Sequence, residues 1–148
     1  MAAVRAAWWI LAGLAAVFTV WEAGQPVGTV SLSCAKSGTL YESGVRSGAT
    51  CDDSMIDALG VWPLIQLGVL LAVAPVVAAV CIRVWVSWLA CAALAVLAGF
   101  GLGHWAGFWI LLLLAGAPMT VVALVISAAH LGVQVRRNSR QPDTAPVS

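Results

Sequence analysis

One long stretch of the chain contains apolar positions almost uninterrupted by charge. Between Ala58 and Val135, Arg83 is the only formally charged residue. A helix needs about 20 predominantly apolar residues to cross a membrane core about 30 Å thick. The stretch is therefore long enough for three crossings, and Arg83 lies where the first return is expected. A second apolar stretch near the N-terminus predicts one more crossing.

This pattern predicts an all-α membrane protein with four transmembrane helices. The predicted spans are residues 6–21, 61–82, 84–101 and 105–135, which make one domain over residues 1–135. The fourth span is longer than a bilayer requires, so it must tilt, project or kink at Pro118. The glycine-rich sequence at 99–104 predicts the tight turn between the third and fourth helices. Residues 136–148 are predicted to be a disordered cytoplasmic tail.

The composition also indicates a membrane protein, and it argues against one class of partner. Of the 148 residues, 62% are hydrophobic and 9% are charged, whereas soluble domains average about 25% charged residues. The net charge is +1 and no basic stripe is present, which argues against a nucleic-acid partner. The expected partners are the lipid bilayer and either another membrane protein or further copies of the chain.

The positions of the basic residues predict an orientation, because Lys and Arg concentrate in cytoplasmic loops. With four spans, five arginines fall on one side, whereas the other side has two basic residues beside five acidic ones. We therefore predict cytoplasmic termini, a plasma (inner) membrane location and an outer loop at 22–60. The arginines expected to set topology or contact lipid headgroups are Arg5, Arg83, Arg136, Arg137 and Arg140.

The eight tryptophans are a second indication of four spans. At a membrane interface an indole keeps its ring in hydrocarbon and its N–H in contact with water. All eight lie near predicted span ends. The predicted cytoplasmic belt is Trp8, Trp9, Trp85 and Trp88, and the outer belt is Trp21, Trp62, Trp105 and Trp109.

The first span has two interpretations, an uncleaved signal-anchor or a cleaved signal peptide. Arg5 followed by an apolar stretch suits both. No small-x-small cleavage site follows the stretch, since residues 19–23 read Thr-Val-Trp-Glu-Ala. We therefore favour the signal-anchor.

The predicted outer loop contains Cys34 and Cys51, which we expect to form a disulfide in an oxidising compartment. A loop of this size has too little core to stay ordered without such a bridge. Alternating residues at 30–33 and 39–42 predict a small β-hairpin. Asp53 is a candidate N-cap for a short helix leading into the second span.

Candidate chemistry is sparse. Asp52, Asp53 and Asp57 cluster, but they lack the spacing of a calcium loop, so capping and solvation are the favoured interpretation. Cys81 and Cys91 lack the C-x-x-C spacing expected of a quinone-linked disulfide enzyme. No cofactor site, metal site or nucleophile–base pair is recognisable, so we predict a protein without enzymatic activity.

The sharpest pattern is a face of small and polar residues on the fourth span. Its members recur at spacings of four, three, four, three and four, which places them on one side of a helix. They are Gly116, Thr120, Ala123, Ser127, His130 and Gln134. A packing seam against another helix or protomer is the favoured interpretation. The alternative is the lining of a substrate or proton path.

Three further features concern packing and the interface. His130 lies close enough to Arg136 that we expect it at the cytoplasmic interface, and His104 is expected at the outer turn. A row of mostly small residues on the second span also predicts helix packing. That row is Gly68, Ala72, Pro75 and Ala79.

These features favour a non-enzymatic accessory or interaction subunit of a membrane complex. The alternative is an oligomeric transporter or channel for ions or small molecules that uses the polar face of the fourth helix. No acidic residue lies inside a predicted span, whereas proton-coupled transporters generally need a carboxylate or an equivalent relay there.

Overall fold

The computed structural model describes residues 2–40, 44–105 and 107–139. Within them the regular secondary structure is helical, apart from an isolated β-bridge between Pro26 and Ser54. The long helices are α1 (Ala2–Ala23), α4 (Val61–Cys81), α5 (Val84–Gly103) and α6 (Ile110–Asn138). A 3-10 turn (Val27–Thr29) and the short helices α2 (Leu32–Ser37) and α3 (Met55–Leu59) lie between α1 and α4.

Each of the four long helices is long and apolar enough to cross a membrane. The 20 residues of α5 rise by about 30 Å, which matches the thickness of a membrane core. The prediction of four such helices is confirmed. α6 has 29 residues and is therefore about 44 Å long. It continues to Asn138, within the predicted tail, and residues 140–148 lie outside the described part of the chain.

Successive long helices run antiparallel. Thr19 near the end of α1 lies against Gly68 near the start of α4, and Ala98 of α5 lies against Gly116 of α6. α1 also contacts α6, which closes the four helices around a shared core. Large side chains fully buried in that core are Leu11, Leu67, Leu71, Leu94, Leu111 and Leu112.

The turn between α4 and α5 contains two residues and lies where the sequence predicts it. Ile82 adopts a left-handed conformation (φ 41°), and its N–H donates to the Ala78 carbonyl at 3.2 Å. Arg83 is extended and precedes the first turn of α5. The single charge in the apolar stretch therefore marks the chain return.

The turn between α5 and α6 lies later than predicted. α5 continues through the glycine-rich sequence to Gly103, and α6 begins at Ile110 rather than at 105. Gly101 is buried against the start of α6, where a Cβ would come within 2.5 Å of the Leu113 backbone nitrogen. This glycine permits a close helix approach instead of reversing the chain.

The segment between α1 and α4 contains no hairpin in its described residues, so that prediction is wrong. Part of the first predicted strand lies in α2, and residues 41–43 lie outside the described chain. The backbone after α1 instead pairs with residues near α3. The N–H of Val27 donates to the Asp53 carbonyl at 2.9 Å, and that of Gly28 to the Cys51 carbonyl at 2.9 Å. Local alternation cannot predict pairing between such distant residues.

The predicted Cys34–Cys51 disulfide is confirmed, with Cα atoms 5.8 Å apart. The helix predicted before α4 is also present, but its cap is Ser54 rather than Asp53. The Asp57 N–H donates to Ser54 Oγ at 3.2 Å, and the Ser54 hydroxyl donates to Asp57 Oδ2 at 2.6 Å. Ser54 therefore caps the helix through its hydroxyl, and the Asp57 carboxylate holds that hydroxyl in place.

Candidate functional site: the polar seam between α5 and α6

The small and polar face of α6 points into the bundle. Gly116, Ala123, Ser127 and His130 are buried, whereas Thr120 and Gln134 are half-buried. The positions between them are mostly exposed on the outer surface of the helix, as at Val121, Leu124, Val125 and Leu131. The six residues therefore form part of a seam with α5, the helix that α6 contacts most closely.

The half of the seam nearest the α5–α6 turn is held by close packing. Gly116 lies so near Ala98 that a Cβ on the glycine would approach the Ala98 Cβ to 3.3 Å. The Thr120 hydroxyl donates to the Gly116 carbonyl of its own helix at 2.7 Å. Its hydrogen-bonding capacity is thus used within α6, and close backbone approach explains the small residues here.

The other half of the seam contains four buried polar groups. Ser127 Oγ and Cys91 Sγ are 3.3 Å apart, and His130 Nδ1 and Ser87 Oγ are 3.5 Å apart. The latter distance makes a weak hydrogen bond. Ser87 and Cys91 were not among the predicted site residues. Their spacing of four on α5 was a signal for them, because it matches one face of a helix.

His130 is fully buried, so the expectation that it reaches the cytoplasmic interface is wrong. Its exposed fraction is 0%, and Nε2 has no hydrogen-bond partner among the described residues. The helix extends to Asn138 beyond it, and the Ser87 hydroxyl of α5 lies 3.5 Å from the ring nitrogen Nδ1. Burial by a neighbouring helix, which sequence position cannot reveal, removes this side chain from the surface.

Trp8 also departs from its predicted place in the cytoplasmic belt. Its side chain is 1% exposed, and its indole Nε1 has no partner in the described structure. The antiparallel contacts place Trp8 towards the α4–α5 turn, the end of the bundle that holds Ser87 and His130. Two buried polar atoms that have no partner among the described residues therefore lie at the same end of the bundle. Such atoms are uncommon in folded proteins.

The chemistry available to this seam is limited. A serine beside a histidine resembles a nucleophile–base pair, but 3.5 Å exceeds the usual hydrogen-bond distance for that pair. The sequence has no acidic residue between Asp57 and Asp143, so none of the spans α4, α5 and α6 carries a carboxylate that could orient the imidazole. The serine, cysteine and histidine side chains of the seam can donate and accept hydrogen bonds between α5 and α6.

The other predicted site residues lie at the two ends of the bundle. Arg5, Arg83 and Arg136 are exposed at one end, and Arg137 lies in the last turns of α6. Arg140 lies outside the described residues. The disulfide-bridged segment lies at the other end, between the end of α1 and the start of α4.

The acidic residues near α3 have local hydrogen-bonding roles. Asp53 Oδ2 accepts the Thr50 N–H at 2.7 Å, and Asp57 accepts the Ser54 hydroxyl. Asp52 is exposed. Within the described residues, no three His, Cys, Asp or Glu side chains are grouped closely enough to hold a metal ion.

Substituting Ser127 tests how tightly the seam is packed. Ser127→Leu should lower the free energy of unfolding by about 1–3 kcal/mol, because the larger side chain has no space at a position with 0% exposure. Ser127→Ala should cost less than about 1 kcal/mol, since it removes only one weak hydrogen bond. Thermal unfolding in mild detergent measures both. Val125→Leu, on the exposed side of α6, is the control, and equal stability of all three variants would contradict a packed seam.

Comparison with protein-family models, with curated protein sequences and with solved structures found no match.

Proposed function

We propose that this protein is a multi-pass membrane protein that acts as a non-enzymatic accessory or interaction subunit of a membrane complex. The observation that carries the proposal is the packing of the α6 polar face against α5. Gly116 is in close contact with Ala98, and Ser127 with Cys91. Two members of the face that would line a transport path, Gly116 and Ser127, are therefore in contact with α5.

The outer end of the bundle supports the same conclusion. Val27 and Met55, from the segment between α1 and α4, are buried in the common core, as is Phe108 before α6. Ala58 of α3 is likewise fully buried. These side chains close the end of the bundle that a channel or transporter would have to leave open at some stage.

We infer that both termini are cytoplasmic and that the membrane is the plasma (inner) membrane. Arg5, Arg83 and Arg136 lie at one end of the bundle, where positive charge favours the cytoplasmic side. The Cys34–Cys51 disulfide lies at the opposite end, and disulfides form in the oxidising compartment outside the cytoplasm. The two features support the same orientation through different physical causes.

Thiol labelling tests this orientation. Cys81 is exposed and Cys91 is buried, so N-ethylmaleimide should add once to the native protein and twice after denaturation without reduction. In intact cells, a membrane-impermeant maleimide should leave Cys81 unlabelled, because α4 ends on the cytoplasmic side. Cys81→Ser is the control that assigns the adduct. Labelling of Cys81 from outside would reverse the proposed orientation.

Site-specific photocrosslinking in cells tests the accessory role. The probe replaces one exposed residue on each long helix, and the positions are Val17, Val73, Val96 and Val125. A subunit of a complex should give one discrete crosslinked polypeptide from one position or from two adjacent helices. The buried residue Leu11 is the control position. Crosslinks to lipid alone at all four exposed positions would contradict the proposal.

The transporter or channel remains a second candidate because of one observation. His130 Nε2 is buried without a hydrogen-bond partner in the described structure, and buried ionisable groups in membranes often serve proton or substrate paths. This candidate predicts that His130→Gln abolishes a proton flux in proteoliposomes while thermal stability is unchanged. The accessory role predicts no flux in the unmodified protein.

A further inference from the structure

An apolar groove of about 880 Å³ opens between α4 and α5. Valine, leucine and alanine side chains from both helices line it, including Val73 and Val77 on α4 and Leu89 and Ala93 on α5. One end of the groove is different. Arg83, in the turn between the two helices, and Trp85, in the first turn of α5, lie there.

The length of the groove corresponds to one leaflet of a bilayer. Its α4 wall runs from Val69 to Cys81, which is a rise of about 18 Å. Half of a hydrocarbon core about 30 Å thick is about 15 Å. The groove therefore extends from the α4–α5 turn to about the middle of the membrane. A partner helix would need a surface about twice as long, whereas an acyl chain needs only this depth.

The charge at the mouth of the groove lacks an acidic counterpart in the neighbouring sequence. Arg83 is exposed, and no Asp or Glu occurs between Asp57 and Asp143. A guanidinium presents several N–H donors in a plane that matches two oxygens of a phosphate. The exposed Trp85 beside it can keep its ring in hydrocarbon and donate its N–H at headgroup level.

We propose that this groove binds one anionic phospholipid, with the phosphate at Arg83 and an acyl chain along Val73, Val77 and Leu89. The proposal rests on the membrane placement given under the proposed function, and it is independent of the accessory role. Arg83 provides the preference for a negatively charged lipid, and the apolar walls of the groove hold its acyl chain. The site thus differs from general lipid contact because one lipid is held in a defined position.

Native mass spectrometry tests the site. The full-length protein in mild detergent is incubated with equal amounts of phosphatidylglycerol and phosphatidylcholine that carry the same acyl chains. One molecule of phosphatidylglycerol should remain bound to the protein in preference to phosphatidylcholine. Arg83→Gln should reduce this preference about five-fold, since one juxtamembrane charge contributes about 1 kcal/mol. Arg136→Gln, at an exposed arginine outside the groove, is the matched control and should leave the preference unchanged.

A second pair of variants tests the apolar walls that would bind the acyl chain, without changing the charge of the protein. Ala93→Leu fills the groove and should reduce retention of both lipids, whereas Ala95→Leu, on an exposed residue outside the groove lining, should not. Equal retention of the two lipids by the unmodified protein would overturn the proposal, as would an unchanged preference in Arg83→Gln. Loss of a bound polypeptide rather than lipid in Ala93→Leu would also overturn it. Release of the unmodified protein from membranes by alkaline carbonate would instead refute the membrane placement.

Discussion

Replacing Gly101 with alanine is expected to separate α5 from α6 and to lower the free energy of unfolding by about 2–3 kcal/mol. An added Cβ would lie 2.5 Å from the Leu113 nitrogen and 3.0 Å from the Trp109 carbonyl oxygen. Both are backbone atoms, so a change of side-chain rotamer cannot relieve the overlap. The helices must shift, and the shift would disturb contacts along the seam. Thermal unfolding in mild detergent measures the effect.

Two neighbouring glycines of the same helix are matched controls. A Cβ at Gly99 or Gly103 would meet nothing within 4 Å, and both positions are exposed. Alanine is a better helix former than glycine by about 0.5–1 kcal/mol, so Gly99→Ala should leave stability unchanged or raise it. If Gly99→Ala lowered the free energy of unfolding as much as Gly101→Ala, contact with α6 would not be the cause of the destabilisation.

Removing the Cys34–Cys51 disulfide is the other change with a large expected effect. The bridged residues are 17 apart in sequence, and closing a loop of about this length contributes on the order of 3 kcal/mol by the chain-entropy estimate. The double substitution Cys34→Ser with Cys51→Ser should therefore loosen the segment between α1 and α4. Limited proteolysis of the intact protein should show faster cleavage within residues 30–50.

The four long helices should survive this substitution, because their packing does not depend on the bridge. The backbone pairing of Val27 with Asp53 should also weaken, since the residues beside it lose their tether. Cys81→Ser removes an exposed thiol that takes part in no disulfide and should leave proteolysis unchanged. Equal protection of the bridged and unbridged proteins would mean that other contacts hold this segment in place.

Long apolar runs were predictable because crossing a membrane depends on length and composition. The spans at 61–82 and 84–101 differ from α4 and α5 by only one or two residues at their ends. Turn positions were less predictable. The glycines at 99–103 suit a chain reversal as well as a close helix contact, and only the position of α6 shows that Gly101 serves the contact.

The segment between α1 and α4 was the least predictable part. A hairpin requires pairing between neighbouring strands, and the alternation at 30–33 satisfied that pattern. The structure instead pairs residues 25–28 with residues 51–55, and the disulfide joins α2 to the second of these segments at Cys51. Ser54 rather than Asp53 caps α3, because the Asp53 carboxylate accepts the N–H of Thr50. Choices between adjacent capping residues depend on such local contacts.

Four apolar helices, the chain return at Arg83 and the cysteine pair that forms the disulfide follow from the order of residues alone. The side of each helix that meets another helix became known from the packing of the bundle. Lipid is as apolar as a leucine-rich core, so hydropathy does not distinguish a residue facing lipid from one facing the bundle. For this reason Trp8 and His130, both expected at an interface, are buried inside. The partners Ser87 and Cys91 became apparent only when α5 was packed against α6.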